Sequence, residues 1–238
     1  MRGSRLVVLL WALLGGAPAW AGPQDAPPEP MVREALGAVY RLYYDGLPMG
    51  EVTERWERNG AHYRIHSEAH PYPVVHWLAP SFAESSEGAI AEGVLRPDRF
   101  EHRRSDDPQP MIAQFLWDRA VLVQHFDGRT ETFPLAPLTQ DMLSIKYLYR
   151  VGDDWIDRDL PMATGKRVEI HHFVLQETVP LVTEAGRFRT RHLADRGDGS
   201  PSHFDLWLAE DRRYPPVRLQ VTERGNRWEQ RLLRVEFE

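Results

Sequence analysis

NGAHYRIHSEAHP, residues 59–71, decides the fold because it reads in two incompatible ways. Wound as a helix, it would stack His62, His66 and His70 on one face, the arrangement zinc enzymes use. Extended as a strand, it would hold histidines four positions apart at roughly 13 Å, too far to share an ion. Three features select the strand. Asn59-Gly60 is a strong hairpin signal, Tyr63 and Ile65 alternate with His62, Arg64 and His66, and Pro71 and Pro73 oppose a helix. Zinc-protease motifs also place a glutamate directly beside a histidine. Glu68 lies two residues from both His66 and His70, which on a helix is about 200° of rotation away from them. The histidines belong to the wet face of a strand, and no metal ligand is assigned. A metal would need a cross-strand partner such as His102, His125, His171 or His172, and the adjacent His171 and His172 point to opposite faces of any strand.

The same period of two recurs along the chain. Tyr40, Leu42 and Tyr44 alternate with Val39, Arg41 and Tyr43 before the turn signal Asp45-Gly46, and Glu51–Arg58 forms a second run. Further runs are predicted at 99–104, 112–117, 120–126, 168–176, 188–194 and 204–209. Val217, Leu219 and Val221, then Leu233, Val235 and Phe237 beyond the turn at Arg224-Gly225-Asn226, close an antiparallel meander with one polar face. One helix is predicted, over residues 139–150, with Thr139 as N-cap and Gly152 as stop. The expected fold class is therefore mainly β: a single curved antiparallel sheet, or open half-barrel, with this helix packed against it.

Residues 1–21 read as a cleavable signal peptide. Arg2 and Arg5 precede the apolar run Leu6–Leu14, which is too short to span a bilayer, and Ala19-Trp20-Ala21 supplies the cleavage site. Residues 22–36 read as a flexible, proline-rich leader and residues 37–238 as one β-rich domain. The expected location is the periplasm, with no membrane segment in the mature form. The chain has no cysteine, which excludes disulfides, thiolate metal sites and thiol catalysis. Removing residues 1–21 takes away two arginines and no acid, so the formal charge moves from −6 to −8, which disfavours nucleic acid as a partner.

No catalytic constellation stands out. Asp195–Ser200 looks like a calcium loop, but the terminal glutamate position, 206, is Leu. Ser86 lacks the preceding glycine of a nucleophile elbow. Asp141 and Ser144 share a helix face, where Asp141 would complement the helix dipole. No cofactor is implied.

Several short motifs, in order, carry a resemblance: Tyr43-Tyr44-Asp45-Gly46 up to Gly50, Glu87-Gly88-Ala89-Ile90, Gly93 to Phe100, Gln140 to Ser144, Trp207 to Asp211, and Pro215 to Arg218. In these the chain resembles the bacterial family catalogued as domain of unknown function 3108, secreted proteins without established activity. The resemblance implies an open half-barrel similar to the periplasmic lipoprotein-carrier fold, and it carries no catalytic residues. On this reading the protein is a non-enzymatic carrier for an apolar small molecule or lipid, lined by Met142, Leu143, Ile145, Leu148, Tyr44 and Trp207. The alternatives are an envelope scaffold or assembly factor with a protein partner, and a metal- or His/Asp-dependent hydrolase.

Overall fold

The computed structural model describes residues 33–75, 80–197, 201–211 and 213–238. Residues 1–32, where the signal peptide and most of the leader are expected, lie outside the described residues. In chain order the strands are β1 (Arg33–Tyr44), β2 (Leu47–Asn59), β3 (His62–Pro71), β4 (Phe82–Ala91), β5 (Val94–Arg104), β6 (Asp107–Leu116), β7 (Val121–Phe126), β8 (Arg129–Pro134) and β9 (Gln140–Asp141). Helix α1 (Ser144–Val151) is followed by β10 (Asp159–Ala163), β11 (Val168–Thr183), β12 (Gly186–Asp195), β13 (Ser202–Ala209), β14 (Pro216–Glu223) and β15 (Asn226–Phe237). All fifteen strands join one open sheet in the order β8-β7-β6-β5-β4-β3-β2-β1-β15-β14-β13-β12-β11-β10-β9. Every pairing described is antiparallel except β9 with β10.

Local turn chemistry produces this meander. Asp45-Gly46, Glu92-Gly93, Asp127-Gly128 and Arg224-Gly225 each have positive φ at both residues, the geometry of the two-residue turn whose twist matches the flanking strands. The β2–β3 loop differs by one residue from the sequence expectation. Asn59 pairs with His62, so the loop is Gly60-Ala61, with Gly60 at φ +60. A β-bulge between Glu87 and Gly88 lets β4 pass close to β5. A Cβ at Gly88 would come within 2.1 Å of the Arg96 carbonyl oxygen.

β3 is the strand predicted from the opening stretch. Tyr63, Ile65, Ser67 and Ala69 are buried, whereas His62, His66, Glu68 and His70 are exposed.

Three boundaries need correction. β1 begins at Arg33, inside the stretch expected to be a flexible leader, because Leu36 is fully buried opposite Trp56 and Glu34 pairs with Arg150. β15 begins at Asn226, so Trp228 and Gln230 extend the last strand inward of the predicted run. The helix starts at Ser144 rather than Thr139. Gln140 and Asp141 are bound instead in a strand pair with Met162 and Ala163, and Thr139 donates to the Ala136 carbonyl.

The sheet curls so that both of its halves contribute to one core around α1. Leu36, Trp56 and Phe100 from one half meet Phe173, Leu193 and Leu206 from the other, with Leu143, Ile145, Tyr147 and Leu148 between them. Tyr147 stacks on Trp56 at 5.3 Å and Trp56 on Tyr63 at 5.7 Å, pairs that add to their area burial. The amide of Gln140 donates to the Leu95 carbonyl at 2.8 Å, which brings the edge strand β9 onto β5.

Candidate functional site

Side chains two residues apart on a strand share a face, so the strand registers set the inner surface out as rows. One row runs Leu36, Trp56, Ile65, Ser86, Phe100, Ala113. The next runs Ala38, Glu54, Ser67, Glu84, His102, Met111. The third runs Tyr40, Val52, Ala69, Phe82, Arg104. A polar row therefore lies between two apolar ones and divides the interior into two ends.

That polar row is hydrogen-bonded in two groups, one around Glu54 and one at Glu84. Glu54 is buried and pairs with the Lys146 ammonium of α1. It also accepts from the Tyr147 hydroxyl at 2.8 Å and from Ser67 Oγ at 3.4 Å. Lys146 donates in addition to Gln230 Oε1 at 2.7 Å. Burial, and then the Glu54 charge, push the Tyr40 and Tyr147 phenols well above their usual range, so both stay protonated. At the far end of the row, His102 Nδ1 lies 2.9 Å from Glu84 Oε1. A buried ion pair adds little net stability, but removing one partner strands a charge. Chemically, the row fixes α1 against β2 and β15.

Beyond the polar row, on the side away from α1's apolar face, a second apolar cluster holds Tyr40, Leu42, Met49, Val52, Ala69 and Leu232, with Tyr44, Phe82 and Trp228 half-buried against it. The described residues do not fill this end. An inner lobe of 510 Å3 is lined by Leu42, Met49, Ala69, Phe82 and Trp228, with His102, Arg104 and Glu223 as its ionisable groups. An outer lobe of 760 Å3 takes in Tyr44, Leu47, Val75, Glu223, Arg224 and Trp228. Met49, Glu223 and Trp228 belong to both lobes. Concave, mainly apolar walls with a few polar groups are what small-ligand sites share.

The six residues predicted to line a ligand site are not brought together. Leu143, Ile145 and Leu148 fill the core around α1. Met142 is exposed, on the turn before the helix. Trp207 lies on the other face of β13 from Phe204, Leu206 and Leu208, stacked on His192 at 4.3 Å and under Arg218 at 4.2 Å. Only Tyr44 lines the cleft, with its ring 4.6 Å from that of Trp228. The residues missed, Met49, Phe82, Glu223 and Trp228, come from four strands or bends that only the curl of the sheet gathers.

Other titratable groups have structural partners. Asp141 is buried and takes the N–H groups of Leu143 and Ser144 on Oδ1, and Ser86 Oγ on Oδ2 at 2.7 Å. Burial pushes its carboxyl up to about 6, against the pull of those hydrogen bonds. His171 and His172 do point to opposite faces. His172 lies near Asp157 and Asp159, but His171 is fully buried 2.6 Å from Asp195, a correction to the expectation of solvated histidines. Burial raises the Asp195 carboxyl, but hydrogen bonds from His171, Gly197 and His172 outweigh it and hold it below the usual range. His66 and His70 flank Glu68, at 2.9 and 3.5 Å. Among the described residues no three His, Asp or Glu side chains are placed to hold a metal ion, and no helix is long and apolar enough to cross a membrane.

No curated protein matches the chain. The crystal structure of a beta-barrel-like protein of domain of unknown function DUF1849 from Brucella abortus is similar over 87% of this chain and 98% of that one, at 10% identity and a TM-score of 0.46. The model of the family described as protein of unknown function, DUF3108, matches residues 39–226. That match runs from β1 to the turn before β15 and takes in every motif on which the resemblance rested, and the protein belongs to the DUF3108 family.

Proposed function

We propose that this protein is an exported, non-enzymatic carrier or binding protein for an apolar, lipid-like ligand held in the two-lobed cleft, and that it works in the periplasm. One observation carries the reading: the end of the curled sheet away from the helix keeps an open space walled by Leu42, Met49, Ala69, Phe82 and Trp228, while the other end is packed shut. Volumes of 510 and 760 Å3 fall in the range of small-molecule sites. The signal peptide read from residues 1–21 supports export. The edge strand β8 favours a carrier over a scaffold built by strand addition: it is short, exposed and carries Arg129, Glu131 and Pro134, the means by which edges are kept from pairing.

Native mass spectrometry of protein taken from the periplasm, followed by solvent extraction, tests this. The expected result is a stoichiometric adduct of lipid mass that is released by extraction. Recovery from the cytoplasm, or an adduct-free protein that also fails to take up a hydrophobic dye, overturns it.

A further inference from the structure

The cleft also carries information about the polar end of its ligand. The ionisable groups of the inner lobe are not equivalent. Arg104 is already held by Asp106, at 2.9 and 2.8 Å, and His102 lies 2.9 Å from Glu84. Glu223 differs: among the described residues its side chain makes no hydrogen bond or ion pair, although it is half-buried and lines both lobes. An unpaired carboxylate on an otherwise apolar wall offers a ligand of opposite charge a partner. Two aromatic rings, Tyr44 and Trp228, line the outer lobe with it, 4.6 Å apart and tilted by 48°. Aromatic faces attract cations, above all weakly hydrated alkylammonium groups. Arg224, next in sequence, lines the same outer lobe, but it is exposed to water, which screens its charge. It sits at the exposed tip of the β14–β15 turn and lines the outer lobe only.

We infer that Glu223, Tyr44 and Trp228 form a subsite for an ammonium head group, so that the ligand is an amphiphile with a positively charged nitrogen at its polar end and its apolar chain against Leu42, Met49, Ala69 and Phe82. The inference rests on the carrier reading and names the ligand class within it. It sets aside the anionic amphiphiles that the arginine and histidine of the inner lobe suggest at first sight, because both have partners of their own.

Calorimetric titration with three amphiphiles sharing a dodecyl chain, each below its micelle concentration, is the test: dodecyltrimethylammonium, dodecyl maltoside and dodecanoate. The ammonium compound should bind about tenfold more tightly than the other two, the size a desolvated cation–π and carboxylate contact supplies. Glu223→Gln should bring the three affinities within about threefold of one another. Equal affinities, a preference for dodecanoate, or an ammonium preference that survives Glu223→Gln overturns the head-group inference and leaves the carrier standing. If none of the three binds to protein shown by circular dichroism to be folded, both fail.

Discussion

The two ends of the curled sheet are built from the same strands, yet one is a solid core and the other a cleft. At the first, α1 inserts Ile145, Tyr147 and Leu148 against Trp56 and Phe100, and these side chains are at most 2% exposed. At the second no helix enters among the described residues, and the space they leave opposite Leu42, Met49 and Ala69 is open to solvent or ligand. A sheet this wide cannot fill its own concavity with strand side chains alone, since facing walls must come within about 10 Å to interdigitate. Whether an end closes therefore depends on whether another element plugs it. The buried pair Glu54–Lys146 marks the boundary, because it is where α1 meets the polar row.

The largest effect should come from that boundary. Lys146→Met leaves Glu54 buried with only hydroxyl donors, and the expected cost is about 3–5 kcal/mol in urea unfolding. The double variant Glu54→Leu with Lys146→Met should recover most of that loss, since an apolar pair of similar volume replaces a satisfied ionic one at little net change. A double variant as unstable as the single one would mean that the belt does more than hold the helix.

Truncations at the two ends sharpen the contrast. Leu148 is wholly enclosed, so Leu148→Ala should cost about 2–5 kcal/mol by opening a void. Met49 lines space that is already open, so Met49→Ala loses only the transfer contribution and should fall near or below the low end of that range. Equal losses in denaturant melts would show that the cleft is closed in solution.

Much of this was legible in the residues. The alternation from His62 to His70 specified the strand and its wet face. The burial of Glu54 went unread, although its shared parity with Val52 and Trp56 is the signal that could have found it. Parity with Leu206 and Leu208 argued against the lining role expected of Trp207, which lies on the outer face. What local pattern could not supply was closure. The cleft gathers Tyr44, Phe82, Glu223 and Trp228 through the curl of the whole sheet, and the start of α1 depends on Ser86, a residue 55 positions from Asp141. Helix propensity over residues 139–143 lost to a strand pairing and to that distant hydroxyl.

Asp141 is thus the device that pins the plugged end, and it does so with a charge in the wrong place. Its carboxyl accepts the first N–H groups of the helix, yet burial raises its pKa from 3.8 to about 6. The folded state therefore binds a proton more tightly than the unfolded chain. Stability is unaffected by this group below about pH 4 and falls as pH rises toward and through 6, reaching a deficit of about 2–3 kcal/mol above it. Asp141→Asn keeps an acceptor for Leu143 and Ser144 and can donate to Ser86, but it carries no charge to desolvate. Between pH 4 and pH 8 the variant should gain roughly 2 kcal/mol on the wild type, read from urea midpoints at each pH. A constant difference across that range would mean that Asp141 already ionises freely, so that the helix end is hydrated and the plugged end is less tightly shut than its burial indicates.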